Sequence, residues 1–203
     1  DDLSPAEWLL RKLGENIFMQ TSTWLVSREL TEAAGPWDTR LLGDDDGEYF
    51  CRVLLQSNAV RFVPEARVYY RLPRANSLSY IGLSNMKIEA QWLSMQMHIS
   101  FLRSLEDSPR VRTACVKYLQ NWLFFFYPQR PDIVKHAEQM AKEMKGRLEI
   151  PRLSWKYSWI RAAFGWDMAQ RARFFLPRIK WSLVRSLDKA LFYLENPKLP
   201  LKP

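Results

Sequence analysis

The sequence predicts an α/β region with few strands over residues 1–80, followed by an all-α extension over residues 81–203, so that helix dominates the whole chain. Three observations carry this. From Ser84 onward apolar residues recur at nearly continuous helical spacing, whereas upstream they fall in short β-branched runs separated by turn residues. Charge is split in the same way: residues 1–100 hold 10 Lys+Arg against 13 Asp+Glu, while residues 101–203 hold 20 against 9. With 47% apolar and 26% charged residues, the composition is that of a chain that folds around a core rather than a disordered one. The boundary is expected near residue 80, after Arg74-Ala-Asn-Ser-Leu-Ser79.

Ser4-Pro5-Ala6-Glu7 has the form of a capping box with Pro at the first helical position, so a short helix should run to Gly14. Ile17 to Val26 reads as a strand, after which Ser27 caps a helix that stops at Gly35. An acidic loop, Asp44-Asp45-Asp46-Gly47, leads into a helix with Tyr49, Phe50, Val53 and Leu54 on its apolar face. Two short strands are expected at Val60–Val63 and Arg67–Arg71. The extension then supplies a helix with Met86, Ala90, Leu93, Met97 and Phe101 inward, and a second from Ser108-Pro109 to Pro128. A third spans about Pro131 to Gly146, and two or three more cover 154–194, interrupted at Gly165 and Pro177.

Several classes are set aside by composition. The longest charge-free apolar stretch, Tyr118 to Gln129, has 12 residues and contains Gln120, Asn121 and Pro128, too short and too polar to cross a bilayer. Cys51 and Cys115 form no disulfide framework, and His98 and His136 cannot build a zinc site alone; both histidines read as helix-surface or packing residues. A reduced, cytoplasmic setting is expected. Since the chain opens Asp-Asp-Leu-Ser with neither an initiator Met nor a signal-type segment, it is expected to begin inside a longer protein.

Chemistry is most concentrated at Asp44, Asp45, Asp46 and Glu48. Neighbouring carboxylates resist simultaneous ionisation, which favours a proton acceptor, while the helix start that follows favours the charged form. The plain alternative is that one Asp caps the helix and the others make a solvated turn.

The order of residues adds more than the composition. Thr23-Trp24-Leu25-Val26-x-Arg28, Ala34-Gly35-Pro36-Trp37-Asp38, Gly43-Asp44-Asp45-Asp46-Gly47-Glu48-Tyr49-Phe50-x-Arg52, Phe62-Val63-Pro64-Glu65-Ala66 and Tyr69-Tyr70-Arg71 follow one another. This succession resembles the second half of the catalytic domain of family 2 glycosyltransferases. The resemblance implies an incomplete GT-A fragment carrying part of an inverting transfer from a nucleotide-sugar donor to an acceptor hydroxyl. Counting back from Arg52, Asp45-Asp46 stand at the family's acidic pair, which makes Asp46 the implied catalytic base and Asp45 the alternative. Trp37 and Asp38 would line the sugar site, and Arg71, helped by Ser77 or Ser79, would meet the diphosphate. The resemblance also implies a divalent cation, Mg or Mn, held by ligands outside this chain, and inactivity of the chain alone.

Between Arg147 and Lys189 there are 10 Lys+Arg against 3 Asp+Glu, interleaved with Trp155, Trp159, Trp166 and Trp181. Such helices suit an anionic membrane surface, which would make the protein peripheral at the inner face of the membrane. Nucleic acid is the less favoured polyanion, and a packed core with a wet basic side is the plain alternative. A non-enzymatic basic helical module binding a membrane or a partner therefore stands beside the transferase.

Overall fold

The computed structural model describes residues 2–69, 81 and 84–195. Within them the elements are α1 (Pro5–Glu15), a 3₁₀ turn (Thr21–Thr23), α2 (Arg28–Ala34), α3 (Asp45–Leu55), α4 (Asn85–Leu105), α5 (Pro109–Phe126), α6 (Pro131–Glu143) and α7 (Trp155–Glu195). They fall into two units, Asp1–Pro151 and Arg152–Pro203.

Helix starts in the first unit follow local chemistry. Ser4, Ser27 and Ser108 each accept a hydrogen bond from the backbone N–H three residues on, at 3.2, 3.3 and 3.4 Å, satisfying donors that have no partner inside the helix. Pro5, Pro109 and Pro131 occupy first-turn positions, where a missing N–H costs nothing. Glu7 does not close the capping box but turns outward to Arg110, at 2.9 Å. Helix α1 packs on α5 and α4, α3 packs on α4 and α2, and α5 also touches α4 and α6. The shared core contains Leu9, Leu13, Leu54, Met95, Leu102 and Leu119. The expected division near residue 80 lies outside the described residues, and helices from both sides of it enter this one core.

The α/β class expected for residues 1–80 is corrected by this fold. Among the described residues there is no strand and no sheet, and the only extended pairing is a single antiparallel bridge between Leu3 and Val60. A strand is stable only when a neighbour takes up its row of N–H and C=O groups; among the described residues Ile17–Val26 pairs with no neighbouring strand, and Val60–Val63 pairs only at Val60, with Leu3. At Gln20–Thr23 side chains compete for the backbone instead: Gln20 Oε1 accepts from Ser22 N at 2.9 Å and Thr23 Oγ1 donates to Gln20 O at 2.6 Å, which closes a turn. Of the last expected strand, Arg67 to Tyr69 is non-helical and pairs with no strand among the described residues, while Tyr70 and Arg71 lie outside the described residues.

Of the residues of α4 expected inward, Ala90 is buried and Leu93, Met97 and Phe101 are half-buried, and the buried face is centred elsewhere. Ile88, Trp92, Met95, Ile99 and Leu102 point inward, while Met86 is exposed. In the second unit, α7 changes direction at Gly165, whose φ of 81° is readily reached only by glycine, and helix continues through Pro177.

Candidate functional site

The acidic loop is held open by its first residue. Asp44 takes a left-handed conformation, φ 57° and ψ 21°, which Asp tolerates better than most side chains. In that geometry its carboxylate does not cap α3 but turns onto α4, where Oδ2 accepts from Ser94 Oγ at 2.9 Å and Gln91 Nε2 at 3.2 Å. Only glycine fits at position 47, because a Cβ there would overlap the Asp44 carboxylate and stand 3.2 Å from the His98 ring.

Behind Asp44 lies a buried imidazole. His98 is fully buried, with Nδ1 3.8 Å from Asp44 Oδ2 and 3.0 Å from the Tyr118 hydroxyl. Burial pushes the His98 pKa below its ordinary value, opposed by the Asp44 charge. Burial likewise pushes the Tyr118 hydroxyl well above its usual range. Both rings therefore stay neutral near pH 7.

Asp46 faces the other way. Its Oδ2 accepts from Thr21 Oγ1 at 2.8 Å and its Oδ1 from the Gly47 N–H at 2.9 Å, leaving further lone pairs on both oxygens. Asp44 and Asp46 line a cleft of about 400 Å³ that also takes in Trp8, Lys12, Trp24 and Trp122. Trp24 stacks on Phe50 at 4.6 Å and meets Trp8 edge-on at 4.9 Å, so the aromatic wall is rigid. Asp45 is exposed on the first turn of α3 and does not line the cleft.

Next to the cleft, α3 is fastened to the Gly35-Pro36-Trp37 turn. Glu48 is fully buried and receives Arg52 at both oxygens, Nε to Oε1 at 2.7 Å and a terminal nitrogen to Oε2 at 3.1 Å. The same guanidinium donates to the carbonyls of Ala34 and, at 2.8 Å, Pro36. Trp37 stacks on Tyr49 at 4.4 Å, and Asp38 grips Arg40, which holds its carboxyl down to about 2. Neither Trp37 nor Asp38 lines the cleft, and Arg71, Ser77 and Ser79 lie outside the described residues.

Among the described residues no group of three or more His, Cys, Asp or Glu side chains converges to hold a metal ion. The divalent cation that the resemblance implies was expected on ligands outside this chain, and no step below runs through one. Sequence reasoning named Asp44 only as a member of the acidic run and His98 only as a helix-surface or packing residue, and it missed Thr21, Gln91, Ser94 and Tyr118 as parts of the site. A signal existed for three of them: Gln91, Ser94 and His98 stand three and four residues apart, a polar stripe on one face of an otherwise apolar helix. Cys51 and Cys115 are buried free thiols, and burial pushes Cys115 up to about 12. Comparisons with protein-family models, curated proteins and solved structures found no match to this chain.

Proposed function

We propose that this chain contributes the acceptor-activating part of a nucleotide-sugar-dependent glycosyltransferase of the family 2 kind, with Asp46 as its base. The observation that carries the proposal is convergence. Thr21 beside the Thr23-Trp24 run and the Ala34–Trp37 turn lie up to some thirty residues before Arg52, yet both are bonded to α3, through Asp46 and Arg52. The support comes from this site and from no sheet.

In the proposed step Asp46 takes the proton of an acceptor hydroxyl as that oxygen bonds to the anomeric carbon. The carbon's bond to the diphosphate oxygen breaks on the opposite face, the electron pair leaves with the nucleoside diphosphate, and configuration inverts. Thr21 and the Gly47 N–H fix the carboxylate's rotation, so a lone pair is aimed without a search.

The test is a donor-hydrolysis and transfer screen on the full-length gene product, followed by Asp46→Asn. Turnover is expected to fall by about 10² to 10⁴, roughly 3–5 kcal/mol, with donor affinity retained. Unchanged turnover would refute Asp46, and a loss confined to Asp45→Asn would move the base by one residue.

A further inference from the structure

We infer that the second unit docks on an anionic phospholipid surface, with α7 lying along the bilayer rather than through it. This goes beyond the transferase proposal and does not depend on it. Leu176, Ile179, Leu183, Leu187, Leu191 and Leu194 recur at intervals of three or four residues, and each is about half exposed or more, Leu194 reaching 76%. At 1.5 Å per residue they form an uncovered apolar stripe roughly 27 Å long. A stripe of that length left in water marks an interaction surface. On the helix before Gly165, Trp155 and Trp159 stand four residues apart and are 79% and 62% exposed; Trp is the side chain most at home between headgroup and hydrocarbon.

Charge selects the occupant. Residues 166–195 contain six Lys+Arg against three Asp+Glu. At 100° per residue, Arg173 and Lys180 lie along one edge of the stripe, whereas Arg171, Arg185 and Lys189 lie on the opposite face of the helix. Long basic side chains can reach up to headgroup phosphates while their stems stay on the apolar side. Arg171 also pairs with Asp167 at 3.4 Å, but both are more than half exposed, and an ion pair in that setting holds weakly.

Other occupants fit less well. A second copy of this helix in a coiled coil would need a seam alternating three and four, whereas the six residues are spaced three, four, four, four and three, which breaks that alternation in the middle of the stripe. Nucleic acid would engage the cations and leave the leucines in water. Spanning is also excluded for these elements, since no helix among the described residues is long and apolar enough to cross a membrane.

The experiment is sedimentation of the full chain with vesicles of phosphatidylcholine containing phosphatidylserine, and with phosphatidylcholine alone, at low and high salt. Binding to the anionic vesicles is expected to be at least about tenfold tighter and to weaken as the screening length contracts from about 10 Å toward 3 Å. Leu183→Glu with Leu187→Glu should abolish it, and Arg171→Gln, Lys180→Gln and Lys189→Gln together should weaken it at least about tenfold at low salt. Circular dichroism checks that α7 still forms; should the Glu variant lose helix, the Gln variant and the lipid comparison decide. Wild-type protein that ignores anionic vesicles overturns the inference. So does binding equal for both lipids, a dimer in sedimentation velocity that the Glu variant dissociates while vesicles are ignored, or duplex DNA binding without vesicle binding. Asp46→Asn should leave vesicle binding as it is, so this result and that of the transfer assay are read separately.

Discussion

His98 sits where a histidine is hard to accommodate: fully buried, with one ring nitrogen on Tyr118 and Nε2 without a hydrogen-bond partner. Burial disfavours its protonated form, and Lys12 adds to this, while Asp44, the Gly47 backbone and Glu48 pull the other way. The folded-state pKa is depressed, so below the ordinary value of about 6.5 the unfolded chain takes up a proton that the folded chain resists. The contribution to stability is therefore complete above about pH 6.5 and is lost as pH falls below it. Denaturant midpoints should drop between pH 7.5 and about 5.5 in the wild type and drop less in His98→Asn, which does not titrate. Equal drops in both proteins would assign the acid sensitivity to carboxylates instead.

At the level of elements, α3 and the turn before it are joined through one guanidinium. Arg52 satisfies a buried carboxylate and two carbonyls at once, a geometry that requires its planar fork. Arg52→Met would leave Glu48, whose side chain is 1% exposed, buried without its partner, at a cost of about 3–5 kcal/mol. For a chain of this size that corresponds to roughly 2–4 °C of melting temperature per kcal/mol. Arg52→Lys should rescue little of the loss, whereas Glu48→Leu combined with Arg52→Met should recover much of it by removing the stranded charge. Thermal melts of the three variants decide the matter; a loss under about 1 kcal/mol for Arg52→Met would show that water reaches Glu48.

For the molecule as a whole, the relevant division is at Pro151. The first unit closes its own core over α1 to α6, and residues 149–154 that follow are non-helical, with Arg152 exposed. Helical and buried backbone resists proteases because cleavage needs an extended, accessible stretch. Limited trypsin digestion is expected to cut after Arg147 or Arg152, and after Arg61 or Arg67 in the exposed non-helical stretch that follows α3, while the helices α1 to α6 themselves resist cleavage. Mass spectrometry of the first products checks this, and an earliest cut within one of the helices α1 to α6 would contradict the division.

What the sequence determined by itself was local. Ser4-Pro5, Ser27, Ser108-Pro109 and Gly35 mark helix ends because a cap acts within three or four residues, and those ends appear where they were expected. The acidic run was equally visible, and so was the wealth of cations and tryptophans in the tail. Which carboxylate faces the cleft was not visible, because that depends on the left-handed turn at Asp44 and on Thr21, which is 25 residues away in sequence from Asp46. Packing of α4 against α5 alone brings His98 to Tyr118, and α4 has apolar residues on so many sides that periodicity could not choose its buried face. Ile17–Val26 has the β-branched content of a strand, but that preference is expressed only beside a neighbouring strand, and the Gln20–Thr23 side chains bond the backbone into a turn. The apolar stripe of α7 was not read from the sequence, and its exposure could not have been, since whether a leucine is covered depends on elements that its own segment does not encode.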